Sequence, residues 1–503
     1  PPAGLRRGRR VEHRVKPATH RRFERRQRHR SILGAGCGLR AAGCGLRAAA
    51  AGFGRWLGAS GVQGRPHSTA RARTPRPAVR RPEPADRTAP FLHSPYPAAA
   101  FCRVPTRAET LLKGTDPCIE ETCGRRSARL RGAGMAVRRR APIRYAVVGL
   151  GHIAQVAVLP AFAHARRNST LAAVVSDDPA KRREIARKYR LDRTYGYDQF
   201  DDCLNRVDAV YIALPNSQHA EYAIRAAAAG VHVLCEKPMA VTVDECEQMI
   251  DACAANGVKL MIAYRLHFEE VNLRAVDLVR RGRIGQPKYF NSSFSMTVRS
   301  GDIRTKKAYG GGTLYDIGVY CINAARYLFR AEPKEVMAIS VNNGGARLAE
   351  VDESTASILR FEGERIASFV TSFNADDVAS YRIVGTKGQL HVDPAYEYAE
   401  GLGYTLTVNG KATHKRIGKR DQFAPELLHF SDCIQRNRTP EPSGEEGLQD
   451  VRIVQALYES AETGKAVQIP AYEERKRPSG RQRVVRPPVR KPELVKVQSA
   501  SVD

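Results

Sequence analysis

Residues 144–154 read RYAVVGLGHIA, and this stretch decides the fold. Tyr145 to Val148 is a short apolar run that ends in glycine, as a buried strand does. Gly149, Gly151 and Ala154 then give GxGxxA at the opening of a helical pattern. The first glycine makes the tight turn, the second lets a pyrophosphate approach the backbone, and the small third residue lets helix and strand pack closely. The N–H groups at the start of that helix, with the positive end of its dipole, face the phosphates. A lone glycine pattern of this kind is weak evidence, so the surrounding chain has to supply the context.

Outward from the turn, short apolar runs alternate with amphipathic helices. Residues 153–165 read as a helix, 171–175 as a second strand, and 179–189 as a charged helix with proline at its start. Residues 209–214 are a third buried strand, followed by a helix over 217–229 that stops at Gly230. A strand over 231–235, a helix over 243–256 and a strand over 258–263 continue the alternation. Strands of this kind between helices mean a parallel sheet covered on both faces, an α/β doubly wound domain. After about Leu266 the rhythm changes. One helix over 268–281 precedes strands of two-residue alternation at 288–294, 335–341, 355–361 and 368–373, then 382–385 and 389–392 around the turn 386–388. Short turns between adjacent strands mean a mostly antiparallel sheet, and helices over 425–436 and 444–463 close an α+β unit.

The formal charge of +30 would point to nucleic acid if it were spread through this folded stretch. It is not. Residues 1–134 hold 29 basic and 8 acidic residues, and the chain from Ala471 holds 9 and 4, which leaves 44 against 40 between them. The middle is an ordinary protein surface. Residues 1–134 are a basic, low-complexity extension in which GCGLRAA at 36–42 repeats at 43–49. Met135 stands directly before the first clean strand pattern, so the expectation is a native start near Met135. The competing reading takes Arg21-Arg22 and the weakly apolar 31–59 as a twin-arginine leader, which would make the protein periplasmic instead of cytoplasmic. The expected layout is therefore 1–134 extension, 135–265 dinucleotide-binding domain, 266–470 substrate and oligomerisation domain, and 471–503 basic disordered tail. No apolar run reaches the roughly 18 residues of a membrane helix. The 11 cysteines show no metal-site spacing, so no metal is expected, and those in the middle read as reduced, buried thiols.

The end of the second strand selects the cofactor. An acidic residue there would bind the ribose hydroxyl of NAD. This chain has Ser176, then Asp177 and Asp178, then Lys181-Arg182. A serine does not repel a 2′-phosphate and Lys181 or Arg182 can pair with one, so the reading favours NADP over NAD. Asp177 and Asp178 pull the other way, unless Asp178 only caps the helix. Gly149, Gly151, His152, Ile153, Ala154, Ser176 and Lys181 are the candidate dinucleotide residues of this end. Two further loops at strand C-termini should border the nicotinamide: 214–219 with Leu214, Asn216 and His219, and 236–238 with Glu236 and Lys237. Lys237 precedes a proline, and its ammonium can stabilise a developing alkoxide. Tyr264-Arg265 follows the last parallel strand. Asp316 and Tyr320 lie four apart after Gly310-Gly-Gly312, and share a face if that segment is helical; Asn323 and Tyr327 extend the pattern. A phenol and a carboxylate facing a lysine make a proton relay.

These runs together resemble the glucose–fructose oxidoreductase / inositol dehydrogenase / MocA (Gfo/Idh/MocA) family over about 144–469, on GLGHIA at 149–154, DAVYIALPNSQHAEYAIRAAAAGVHVLCEKPMA at 208–240, LMIAYRLHF at 260–268, GGGTLYDIGVYCINAARYL at 310–328 and SGEEGLQDVRIVQALYESAETGKAV at 443–467. Tyr320, where many relatives carry histidine, is similar to the glucose–fructose oxidoreductase branch. The resemblance implies hydride transfer between nicotinamide and a sugar or polyol. It implies that Lys237 orients the substrate hydroxyl, that Asp316 and Tyr320 serve proton transfer, and that Tyr264 and Arg265 line the substrate pocket. It implies too that the antiparallel sheet makes homodimer or homotetramer contacts. The loop 296–309 departs from the branch's tryptophan-containing substrate loop. The reading from a different class is a non-catalytic nucleotide-binding or redox-sensing protein on the same scaffold. Neither reading calls for nucleic acid or a membrane.

Overall fold

The protein's structure, a computed structural model, describes residues 140–343, 345–472 and 476–502. The extension 1–134 lies outside the described residues. The GxGxxA turn leads from β1 (Ile143–Val148) into a helix whose first turn, Ala154–Val158, is a π turn and whose remainder is α1 (Leu159–Ala165). There follow β2 (Ser169–Val175), α2 (Pro179–Tyr189), the two-residue β3 (Thr194–Tyr195), α3 (Phe200–Leu204), β4 (Ala209–Ile212), α4 (His219–Ala228), β5 (His232–Glu236), α5 (Val243–Ala255) and β6 (Leu260–Ala263). The six strands are parallel in the order β3-β2-β1-β4-β5-β6, a Rossmann sheet. Val147, Val148, Val210 and Ile212 are buried on both of its faces, which is why these strands read as continuous apolar runs instead of alternating.

The second half is built on a nine-stranded sheet. After α6 (Glu270–Arg280) come β7 (Pro287–Ser295), α7 (Val319–Phe329), β8 (Pro333–Val341), β9 (Ser354–Phe361), β10 (Arg365–Ser372), β11 (Val378–Gly385), β12 (Gly388–Val392), β13 (Leu402–Val408), β14 (Lys411–Ile417), α8 (Ala424–Gln435), α9 (Gly444–Thr463) and β15 (Val467–Gln468). The strand order is β14-β13-β12-β11-β7-β10-β9-β8-β15, and β7 with β10 is its parallel pair. Helices α6 and α7 bury the inner face through Val276, Ile322 and Leu328 against Phe290, Phe369 and Ile383. The outer face leaves Tyr289, Met337, Ile339, Val341, Ile358, Ile366, Val370 and Val378 exposed.

The two cores do not divide cleanly at residue 265. Leu427, Leu428 and Phe430 of α8 pack with Tyr145, Val147 and Phe162. Leu448 and Val451 of α9 join the Rossmann core, while its Ile453, Val454 and Leu457 join the other. The β13–β14 hairpin was not anticipated, although Asn409-Gly410, both at positive φ, is the usual signature of a two-residue turn between alternating strands.

The segment 476–502, expected as a disordered tail, instead lies along the folded body. Arg477 bonds Glu332 at 2.5 Å, Arg483 bonds Glu270 at 3.0 Å, and Arg486 reaches the carbonyl of His164 at 3.2 Å. Its cations find carboxylates and carbonyls on the body, a pairing that composition alone does not reveal. All six described cysteines are buried and unpaired. Among the described residues no helix is long and apolar enough to cross a membrane, and no group of three or more His, Cys, Asp or Glu side chains is arranged to hold a metal ion.

Candidate active site

The carboxyl ends of the parallel strands face the inner edge of the nine-stranded sheet across a cleft of about 550 Å³, a volume typical of ligand sites. Gly149, Gly151, His152, Ile153, Ser176, Lys181, Leu214, Asn216, His219, Glu236, Lys237, Arg265, Asp316 and Tyr320 all line it. Segments as far apart as 149 and 320 therefore meet in one space.

The glycine turn fits a dinucleotide. Gly149 sits at φ +93°, and a Cβ there would lie 2.4 Å from the carbonyl oxygen of Ala213. A Cβ on Gly151 would meet nothing within 4 Å, so that backbone is open to the cleft. Ala154 is fully buried and does not line the cleft; its small side chain serves helix packing. At the end of β2, Ser176 is buried and Asp178 caps α2 by accepting from the N–H groups of Ala180 (2.8 Å) and Lys181 (3.0 Å). Arg182 turns back to donate to the carbonyl of Ser176 at 2.6 Å, which leaves Lys181 as the basic side chain of α2 in the cleft, with Asp177 opposite in sign beside it. His219 is fully buried with Nδ1 2.9 Å from the carbonyl of Pro238 and Nε2 3.0 Å from that of Leu214. Burial lowers its pKa. Its single ring N–H donates to one of these carbonyls, and both ring nitrogens lie against backbone oxygens of the two nicotinamide loops. Asn216 likewise donates to the carbonyl of Gly310 at 2.8 Å, anchoring the loop to the glycine triplet.

At the inner end, the ammonium of Lys237 donates to the backbone carbonyl of Asp316 at 2.8 Å and to its carboxylate at 3.3 Å. Residues 314–318 form a π turn ahead of α7, in which the N–H of Val319 reaches back to Leu314. The expected simple helical face of Asp316 and Tyr320 is thus widened by one residue, and such turns favour functional sites because they re-aim backbone groups. Lys237 lies 4.8 Å from the centre of the Tyr320 ring, and the guanidinium of Arg265 lies 5.1 Å from it on a second approach, with Nη2 3.4 Å from the phenol oxygen. Burial would lower the Lys237 pKa, but the Tyr320 oxygen, Asp316 and Glu236 outweigh it and raise it, so the side chain is an ammonium at neutral pH. Asp316 is pulled the other way. Burial raises it, while Arg304 and Lys237 more than offset this and hold it below the ordinary carboxylate range. Glu236 is buried, accepts from the phenol of Tyr211 at 2.8 Å, and is raised by that burial.

Arg304, which donates to Asp316 at 2.7 Å, was not anticipated, and neither were Tyr396 and Tyr398 beside Arg265. Arg304 falls in the loop 296–309, whose basic residues just before the glycine triplet were the available signal. Tyr396-Glu-Tyr398, an alternating aromatic pair after Asp393-Pro394, was the other. Tyr264, expected in the pocket, turns away: it is buried, stacks on His267 at 5.6 Å between ring centres, and faces Asp450. Asn323 and Tyr327 also leave the site. Asn323 bonds His267, Glu446 and Asp450, and Tyr327 bonds Asn272.

Known proteins match the chain in the same two halves. Residues 143–264 match the family described as "Oxidoreductase family, NAD-binding Rossmann fold", and residues 272–391 match "GFO/IDH/MocA C-terminal domain". The chain is 32% identical over 332 residues to D-xylose 1-dehydrogenase (NADP(+)) 2 of Haloferax volcanii, covering 65% of this chain and 99% of that one. The crystal structure of aldose-aldose oxidoreductase from Caulobacter crescentus complexed with glycerol is similar at 37% identity and a TM-score of 0.63, over 65% of this chain and all of that one. KijD10, a 3-ketoreductase from Actinomadura kijaniata solved with NADP and TDP-benzene, is similar at 26% identity and a TM-score of 0.59, over 63% of this chain and 98% of that one.

Proposed function

Because this chain belongs to the Gfo/Idh/MocA oxidoreductase family, we propose that Lys237, Tyr320 and Asp316 carry the proton chemistry of a sugar or polyol oxidoreductase at the inner end of the cleft. The protein is a nicotinamide-dependent oxidoreductase acting on CH–OH groups. A bound nicotinamide supplies the hydride acceptor or donor. The observation that carries the assignment of roles is the contact of Lys237 with Asp316 at 3.3 Å beneath the Tyr320 ring, in the same cleft as the glycine turn.

The charge states divide the labour. Lys237, an ammonium at neutral pH, hydrogen-bonds the reacting oxygen and stabilises the alkoxide that develops as the O–H proton leaves, which becomes the carbonyl when the C–H hydride passes to the nicotinamide. Tyr320 is the group that takes the hydroxyl proton in oxidation and returns it in reduction, flanked by two cations, Lys237 and Arg265. Asp316, held ionised by Arg304 and Lys237, positions the ammonium beside Tyr320. NADP is the favoured cofactor, supported by Lys181 in the cleft and by Asp178 being committed to its helix cap. The exposed apolar face of the nine-stranded sheet supports a homodimer or homotetramer.

The test is turnover of an aldopyranose and polyol panel with NADP and NAD, read by absorbance of the reduced nicotinamide, for the native chain and Tyr320→Phe. The expected loss in kcat for the variant is about 10²-fold or more with nucleotide affinity kept. Normal turnover by Tyr320→Phe would remove tyrosine from the proton path. A native chain inert to the whole panel with both cofactors would point away from sugars.

A further inference from the structure

The described end of the chain enters the cleft in a role that neither the glycine turn nor the lysine–tyrosine pair accounts for. Gln155, buried in the π turn directly after GxGxxA, donates to the carbonyls of Leu150 at 2.9 Å and Val495 at 3.0 Å, and accepts from the N–H of Val495 at 2.8 Å. The side chain thus clamps the main chain of Val495 to the helix that carries the phosphate-facing turn. One residue on, Lys496 lies 3.3 Å from the carboxylate of Asp178 at the end of β2. The chain then crosses to the opposite wall. Arg299 donates its N–H to the carbonyl of Ala500 at 2.8 Å and its Nε to that of Ser501 at 2.6 Å, and Val502 donates to the carbonyl of Thr297 at 3.1 Å. This is an antiparallel bridge between Ser501 and Val298, in the segment that continues β7.

Between these anchors Ser499, Ala500 and Ser501 line the same cleft as Gly151, Ser176 and Lys237. The Ser501 hydroxyl is buried and has no hydrogen-bond partner among the described residues. We propose that residues 495–502 form a strap across the dinucleotide cleft, fixed to both walls, which must lift before a nucleotide can enter or leave. The strap makes nucleotide exchange slow relative to an uncovered Rossmann cleft, and Ser501 offers a donor to the bound nucleotide. This rests on the nicotinamide reading above and goes beyond it, because it assigns control of exchange to a part of the chain outside the two matched regions.

The experiment measures dissociation of NADPH, and separately NADH, from the full chain by stopped-flow fluorescence with excess unlabelled oxidised nucleotide as the chase. It compares a chain ending after Pro492 and the point variant Val502→Pro, which removes the N–H donor to Thr297. Truncation is expected to raise the dissociation rate about tenfold or more and Val502→Pro by a smaller factor, since loss of a lid acts mainly on release. Rates within twofold of the full chain for the variants that fold would overturn the strap; if truncation prevents folding, Val502→Pro decides alone. A full chain that binds neither nucleotide would sink the nicotinamide reading itself. Binding with unchanged release would sink only the strap.

Discussion

The two walls of the cleft are made differently. The nucleotide wall is backbone: Gly149 with no room for a side chain, Gly151 with its backbone open, and a helix start aimed at the same space. The inner wall is a set of charged and phenolic side chains delivered by five segments: Lys237, Arg265, Arg304, Asp316 with Tyr320, and Tyr396 with Tyr398. Its charges are held in place by one another. Arg304 and Lys237 share Asp316, and Arg265 spans Gln422, Tyr320 and the carbonyl of Tyr396. The first wall has no room for a side chain at Gly149 and keeps the backbone of Gly151 open to the cleft, whereas the second depends on which charged side chains are present.

The sharpest test of that contrast is Lys237→Ala. It is expected to lower kcat by about 10²–10⁴-fold while the Kd for nucleotide moves only a few-fold, because the ammonium acts on the reacting oxygen. Binding measured by nucleotide fluorescence and turnover measured on the same preparation separate the two. A parallel collapse of nucleotide affinity would mean that the walls are not separable. Gly149→Ala should act in the opposite sense. Its Cβ would stand 2.4 Å from a backbone oxygen at a positive φ, so the turn must move; a stability loss of about 2–4 kcal/mol and weakened nucleotide binding are expected in thermal unfolding and titration. An unshifted melting temperature with full affinity would show that the turn has slack that the geometry denies.

The inner wall is also backed by a buried charge network. His267 donates toward Glu441 at 2.7 Å and Asn323 at 2.7 Å, and Arg326 behind it meets Glu446, Asp450 and Glu332. Burial lowers the His267 pKa, but Glu441 outweighs it and lifts the value to about 9. A histidine raised from 6.5 on folding contributes stability that is complete below about pH 6.5 and is lost as pH rises through about 9. The expected loss across that window is on the order of 2–3 kcal/mol, and His267→Gln should flatten it. Urea unfolding at pH 6, 7.5 and 9 measures it. A native stability that rises over this range would reverse the sign assigned to the pair.

The same contrast explains what could be read from the sequence. The Rossmann half was legible because its function is local: the GxGxxA turn, the strand ends and Lys237 before Pro238 each sit in a contiguous motif with a backbone reason. The inner wall was legible only where a residue stands in such a motif. Arg304 and Tyr396 come from loops whose position is set by the nine-stranded sheet, and no spacing in the chain announces that they converge on Asp316 and Arg265. Tyr264 was misplaced for the complementary reason. It follows β6 as a pocket residue would, but the turn Arg265–His267 rotates it into the buried network. The tail failed on composition. Nine basic residues and prolines read as solvated chain, yet Gln155 and the 297–299 segment provide partners that lie some 200 to 340 residues away.

The smallest expected effect is the one that decides the cofactor. With Arg182 committed to the carbonyl of Ser176 and Asp178 to its cap, Lys181 and Asp177 are the opposed charges left on this side of the cleft. A 2′-phosphate would favour the lysine and a free ribose hydroxyl the aspartate. Lys181→Ala is therefore expected to weaken NADP by about tenfold and NAD by less than twofold, a partial effect because the side chain is half exposed and solvent screens it. Asp177→Ala should leave NADP binding equal or tighter. If the native chain prefers NAD, or if Lys181→Ala weakens both nucleotides alike, then Asp177 governs this end of the nucleotide wall, and even there specificity would rest on one exposed charge and not on the backbone that holds the rest.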